Sequence, residues 1–269
     1  MNKYRLGLII VAIILIGILY SLPRVVVDND SATEAVIQEE NIESSHEFTM
    51  SALDEAAIAS LQKKLSLSTD NEKNAIFADS LARIYLSYNE LDSSALYIDS
   101  IIKYQESVEN YLKAGELYYQ IYGISLNQEK AKAWAMKAGK YFEKVLETSN
   151  NPDTKAKLAM TKVMTTNPME GIMMLKGVLE EYPENKTALY NMGLMSVQSG
   201  QYEKAVGRFE KLMTIDPTNT QAAYYLAVSY YESGKKSEAK EMFTQLKNES
   251  KDPAVLSSAE QYLKILNEL

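Results

Sequence analysis

A pattern of small, aromatic and proline residues returns every 34 positions through the C-terminal half of this chain, and that period constrains the fold more than any single motif. The fullest copy places Tyr190, Gly193, Gly200, Tyr202, Ala205, Phe209 and Pro217 in one unit. Thirty-four positions later stand Tyr224, Ala227, Gly234, Ala239 and Phe243, and thirty-four earlier stand Ala156, Ala159, Gly171, Leu175 and Pro183. Two looser copies precede these. One carries Leu81, Ala82, Tyr85, Leu91, Ser94, Ile98 and Ile101. The other begins at Leu112, Gly115 and Tyr118 and reaches Ala138, Phe142 and Val145 only after about eleven extra residues around Tyr122 to Ala133. That insertion lengthens either the loop or the helices of its unit.

A repeat of this length is one supersecondary unit that cannot bury its apolar face alone, so successive units must stack. Within each unit apolar residues recur at three- and four-residue spacing, which predicts amphipathic helices. Asn151-Pro152, Asn167-Pro168 and Asp252-Pro253 each pair an N-capping side chain with Pro at the first helical position. Gly200 and Gly234 fall between paired helices, where a positive φ is needed. Eleven Gly and six Pro are too few for a turn-rich β sandwich or barrel.

These residues resemble the tetratricopeptide repeat (TPR) family. Gly193, Ala205 and Phe209 match that family's small, small, aromatic positions, as do Ala227, Ala239 and Phe243, while Leu189 and Ala223 stand where its usual Trp would be. The resemblance implies an all-α, right-handed α-solenoid of antiparallel helix pairs. The pairs are expected near 72–105, 107–150, 152–185, 186–219 and 220–252, with capping helices at 49–67 and 253–269. It also implies a concave groove, lined by the first helix of each pair, that holds a protein or peptide partner. The candidate groove residues are Met160, Met164, Tyr190, Leu194, Val197, Tyr224, Val228 and Tyr231. The same offsets in earlier units give Asp79, Arg83 and Leu86, then Leu112, Glu116 and Tyr119. Only Asn191 matches the Lys and Asn set with which some TPR proteins clamp a terminal carboxylate, so that mode is not expected. Methionine adapts to partner shape and tyrosine offers area at low entropy cost, which suits an apolar segment in a groove, although both residue types also serve as ordinary core.

Composition narrows the chemistry. With no Cys, disulfides, thiolate nucleophiles, iron–sulfur clusters and Cys-type zinc sites are excluded. One His, His46, removes histidine-cluster metal sites and leaves Asp92-Ser93-Ser94 and Ser257-Ser258 without a base. The glycines are scattered singly, so there is no phosphate-cradling loop. A net charge of −8 argues against nucleic acid. The reading is therefore a non-catalytic protein with no cofactor and no metal. An enzyme built on the inserted stretch around Tyr122 to Gln128 is a remote alternative, since no nucleophile–base pair accompanies it.

Residues 6–22 form an uncharged apolar run preceded by Lys3 and Arg5. This predicts a single transmembrane helix with residues 1–5 cytoplasmic. A cleaved signal peptide is the alternative, although Leu19-Tyr20-Ser21 lacks a small-x-small site. Residues 23–48 then carry seven acidic residues against the single basic Arg24, the composition of an extended tether. The expected whole is a membrane-anchored scaffold of the bacterial inner membrane with its repeats in the periplasm. A self-assembling envelope element, homo-oligomeric through the solenoid's end or groove, is the second reading.

Overall fold

The computed structural model describes residues 50–268 apart from Thr166. The apolar run 6–22 and the acidic stretch 23–48 lie outside the described residues. Twelve helices account for the described chain, and no strand occurs among these residues. They are α1 (Ala52–Leu67), α2 (Asn71–Ser87), α3 (Leu91–Tyr104), α4 (Val108–Ile124), α5 (Gln128–Leu146), α6 (Pro152–Met164), α7 (Pro168–Glu181), α8 (Lys186–Gln198), α9 (Tyr202–Ile215), α10 (Thr220–Glu232), α11 (Lys236–Glu249) and α12 (Pro253–Glu268). No helix among the described residues is long and apolar enough to cross a membrane.

Each helix packs chiefly on its neighbours in sequence, which makes the array a solenoid of pairs α2/α3, α4/α5, α6/α7, α8/α9 and α10/α11 between α1 and α12. The first helices also meet one another, α2 with α4, α6 with α8, and α8 with α10, and an ion pair joins α4 to α6.

Local chemistry sets where these helices begin. Asp70, Ser107, Asn151, Asn185 and Asn219 each accept a hydrogen bond from an N–H of the first turn of α2, α4, α6, α8 and α10. Such a cap stabilises a helix by about 1 kcal/mol. The second helices α3, α9 and α11 have no side-chain cap, because the chain enters them from a tight turn. Asn89, Gly200 and Gly234 occupy positive φ in those turns. In each turn the following N–H closes back on the preceding helix, Glu90 to Tyr85 O at 2.9 Å, Gln201 to Ser196 O at 2.8 Å and Lys235 to Tyr230 O at 2.8 Å.

Close helix crossings explain the repeated small residues. A Cβ on Gly193 would stand 2.6 Å from Phe209 Cζ, and one on Gly115 would stand 2.8 Å from Phe142 Cε1. At Gly171 the obstacle is backbone, with Ala159 O only 2.3 Å from the position of an added Cβ. Phe142 and Phe209 are fully buried against Gly115 and Gly193, Phe243 is fully buried in a cluster with Ala227, and each would cost about 3–5 kcal/mol if cut to alanine. The extra residues of the second pair go into its helices, not its loop: α4 runs 17 residues and α5 runs 19, while α6 and α8 run 13. Only Ser125 to Asn127 lie between them, and Asn127 Oδ1 is occupied in capping α5.

A candidate partner-binding face on the first helices

The face shared by α4, α6, α8, α10 and α12 combines an aromatic row with a small polar centre. Tyr190 packs edge-on against Phe209 and Tyr225, with ring centroids 6.1 Å apart in both cases. Tyr231 meets Tyr262 at 5.2 Å, and Tyr262 stacks on Phe243 at 4.5 Å. The hydroxyls tie one first helix to the next: Tyr190 donates to Gln221 Oε1 at 3.3 Å, and Tyr224 bonds Ser258 Oγ at 2.9 Å. Below them Asp153 Oδ1 accepts from Asn185 Nδ2 at 2.8 Å and Thr187 Oγ1 at 3.0 Å. These links hold successive first helices at fixed spacing, so the face is formed in advance of any partner. Burial first, and the neighbouring Tyr225 phenol second, push Tyr190 up to about 12. Tyr262 is likewise pushed up to about 12, mainly by burial.

At the centre, Lys157 of α6 donates to both carboxylate oxygens of Glu116 on α4 at 2.6 Å. Beyond this ion pair lies Asn191 of α8, buried to within 5% of its surface, whose Nδ2 has no hydrogen-bond partner. Burial raises the pKa of the neighbouring Tyr119 hydroxyl of α4, and the polar Asn191 side chain opposes the rise.

The eight sequence-derived candidates divide. Tyr190, Leu194, Val197, Tyr224 and Tyr231 are half-buried on or beside this face, and Met164 is 52% exposed at the end of α6. Met160 and Val228 are corrections: they are core residues, 6% and 9% exposed. They share Leu194's place in the repeat, but each belongs to a core cluster on which long aromatics pack. Tyr119 packs on the cluster containing Met160, and Tyr231 and Tyr262 pack on the one containing Val228. Lys157 was not among the groove positions read from the sequence; Glu116, Tyr119 and Asn191 were noted there but left out of the candidate set. A charged or amide residue at a groove offset was the available signal. Among the described residues no group of three or more His, Asp or Glu could hold a metal ion.

Residues 196–262 match the tetratricopeptide repeat family profile. A solved tetratricopeptide repeat protein from Parabacteroides merdae ATCC 43184 is similar at a TM-score of 0.58 and 16% identity, with 80% of each chain covered. The fold is a TPR-like solenoid. The crystal structure of PilW, described as a widely conserved type IV pilus biogenesis factor, resembles this array at a TM-score of 0.54 and 15% identity, covering 76% of this chain and 90% of that one. Surface lipoprotein assembly modifier 1 of Neisseria meningitidis serogroup B is 25% identical over 146 residues, which is 53% of this chain and 30% of that protein. The chain spans less than a third of the length of the curated relatives it matches. Proteins of the TPR family are typically non-catalytic, protein-binding scaffolds.

Proposed function

We propose that this TPR protein is a non-catalytic scaffold that holds a segment of a partner protein along its first-helix face, in the envelope of a bacterium. The observation that carries this reading is the row of half-buried side chains Tyr190, Leu194, Val197, Tyr224 and Tyr231 on first helices that the Tyr190–Gln221 and Tyr224–Ser258 hydrogen bonds tie together. Apolar side chains of a partner segment would cover Leu194, Val197 and Tyr231. The envelope location rests on the apolar run 6–22 with its leading Lys3 and Arg5, and on the likeness to a protein named for surface lipoprotein assembly. On this reading residues 6–22 anchor the chain, residues 23–48 act as tether and the repeats face the periplasm.

The test compares the full chain with a Leu194→Glu, Tyr231→Ala variant shown by circular dichroism to remain helical. A partner crosslinked in envelopes by wild type and lost by the folded variant supports the reading; equal crosslinking overturns it. A reporter active only outside the cytoplasm, fused after Leu269, checks the location separately. An inactive fusion places the repeats in the cytoplasm and removes the envelope role.

A further inference from the structure

The junctions between successive helix pairs are built alike, with one exception. In three of them the second helix of one pair presents a carboxylate to a polar side chain of the next first helix: Asp99 accepts from Tyr118 Oη at 2.6 Å, Glu143 meets Lys162 at 3.4 Å, and Glu210 accepts from Tyr230 Oη at 2.8 Å. The same places at the junction of the third and fourth pairs hold Lys176 on α7 and Ser196 on α8. The carboxylate is replaced by a cation.

A second departure meets it there. Within each pair, one position of the second helix packs on the residue equivalent to Ser196. It is Tyr97 stacked on Tyr85 at 5.5 Å in the first pair and Tyr141 stacked on Tyr118 at 6.0 Å in the second. The later pairs have Met174 and Met242 at this place, but the fourth has Arg208. Its guanidinium donates to Ser196 Oγ and to Met192 O. Among the described residues neither Arg208 nor Lys176 has a carboxylate within 4.0 Å. Burial lowers the pKa of Arg208, the direction expected of a cation losing water without gaining a counter-charge. Beside Lys176 on α7 lies an apolar strip. Met169, Met173 and Lys176 fall at i, i+4 and i+7 on α7, with the two methionines 66% and 58% exposed.

We infer that the Lys176–Arg208 junction is a second docking site, which takes a side-chain carboxylate from an amphipathic helix of a partner protein whose apolar residues cover Met169 and Met173. The incoming carboxylate fills the place that Asp99, Glu143 and Glu210 fill at the other junctions. Arg208 offers a planar fork suited to a carboxylate, and Lys176 adds a second charge from the facing helix. The site lies on the second helices, so it is distinct from the first-helix face and does not depend on it.

The experiment uses the purified full chain and two blocked, labelled amphipathic peptides, one of Leu and Glu and one with Gln in place of each Glu. Fluorescence anisotropy should show the Leu/Glu peptide binding at least tenfold more tightly than its counterpart. Arg208→Met copies Met174 and Met242, and so keeps the fold. It should weaken the Leu/Glu peptide about tenfold, which is about 1.4 kcal/mol. Lys176→Glu should weaken it as much and also raise Tm, by supplying the carboxylate the junction lacks. Leu194→Glu should leave this binding unchanged, which keeps a failure here separate from a failure of the first-helix reading. Equal binding of both peptides, or unchanged binding by Arg208→Met and Lys176→Glu, overturns the inference. Competition by inorganic phosphate at the peptide's own concentration would show a simple ion site and overturn the assignment to a partner helix.

Discussion

Replacing Gly171 with alanine tests the packing argument at its tightest point, because its neighbours belong to the backbone. The added Cβ would lie 2.3 Å from Ala159 O and 2.8 Å from Val163 N, atoms of α6 that no side-chain rotation can move. Restoring an ordinary contact requires α6 and α7 to separate by roughly 1 Å. That loosens the packing around Leu175 and Val178, both buried in the core the two helices share. Overpacking of this kind costs about 1–3 kcal/mol, partly offset by the roughly 1 kcal/mol that alanine gains over glycine inside a helix. Gly207 is the control: it sits within α9 with nothing inside 4 Å of an added Cβ. Gly207→Ala should therefore gain about 0.5–1 kcal/mol. Thermal melts followed by circular dichroism should show Tm falling by several degrees for Gly171→Ala and rising by about 2 °C for Gly207→Ala. If both variants move Tm upward, helix propensity dominates and the close crossing is not what selects glycine at position 171.

Two further outcomes follow from features already described. Tyr190 and Tyr262 are both pushed up to about 12, so the folded state holds their protons after the unfolded phenols release theirs near pH 10. Their contribution is fully present below pH 10 and is lost between 10 and 12, so urea midpoints should fall across that window while tyrosinate absorbance at 295 nm lags behind a model peptide; simple titration near 10 in the folded protein would contradict this. At the tight turns, Gly234→Val places a β-branched residue at φ 82° and should cost about 1–2 kcal/mol, whereas Asn89→Gly at φ 59° should cost a few tenths at most. Comparable losses from the two substitutions would mean that backbone conformation does not set the preference there.

Much of this architecture is legible in the sequence because its determinants are local or periodic. Asn151-Pro152 and Asn167-Pro168 announce two helix starts, and Asn151 and Asn167 do accept the first-turn N–H bonds. The register that pairs Gly193 with Phe209 sixteen positions on appears as direct contact. The insertion was legible as extra length but not as longer helices, since its Glu129, Lys130 and Lys132 suit a helix surface as well as a loop. The face residues were legible only by offset. An offset fixes which way a side chain leaves its helix, not what lies over it, so Met160 and Leu194 look alike until Tyr119 is seen to pack over the cluster that holds Met160. Arg208 and Lys176 escaped notice for a related reason. Their meaning comes from the acids and aromatics at equivalent places in other pairs, a comparison the first helices alone do not offer.

The lengthened second pair has one more consequence. An array of identical pairs offers a threaded partner several interchangeable seats, and a chain lying in it can slip by one unit at little cost. Here α4 exceeds α6 and α8 by four residues, about 6 Å of helix, and the turn at its end carries Ile124 and the fully exposed Leu126. That spur has no counterpart in the pairs that follow it. On the proposed reading, a partner moved along by one unit would meet it, and the array would then set an origin from which position along the partner is counted.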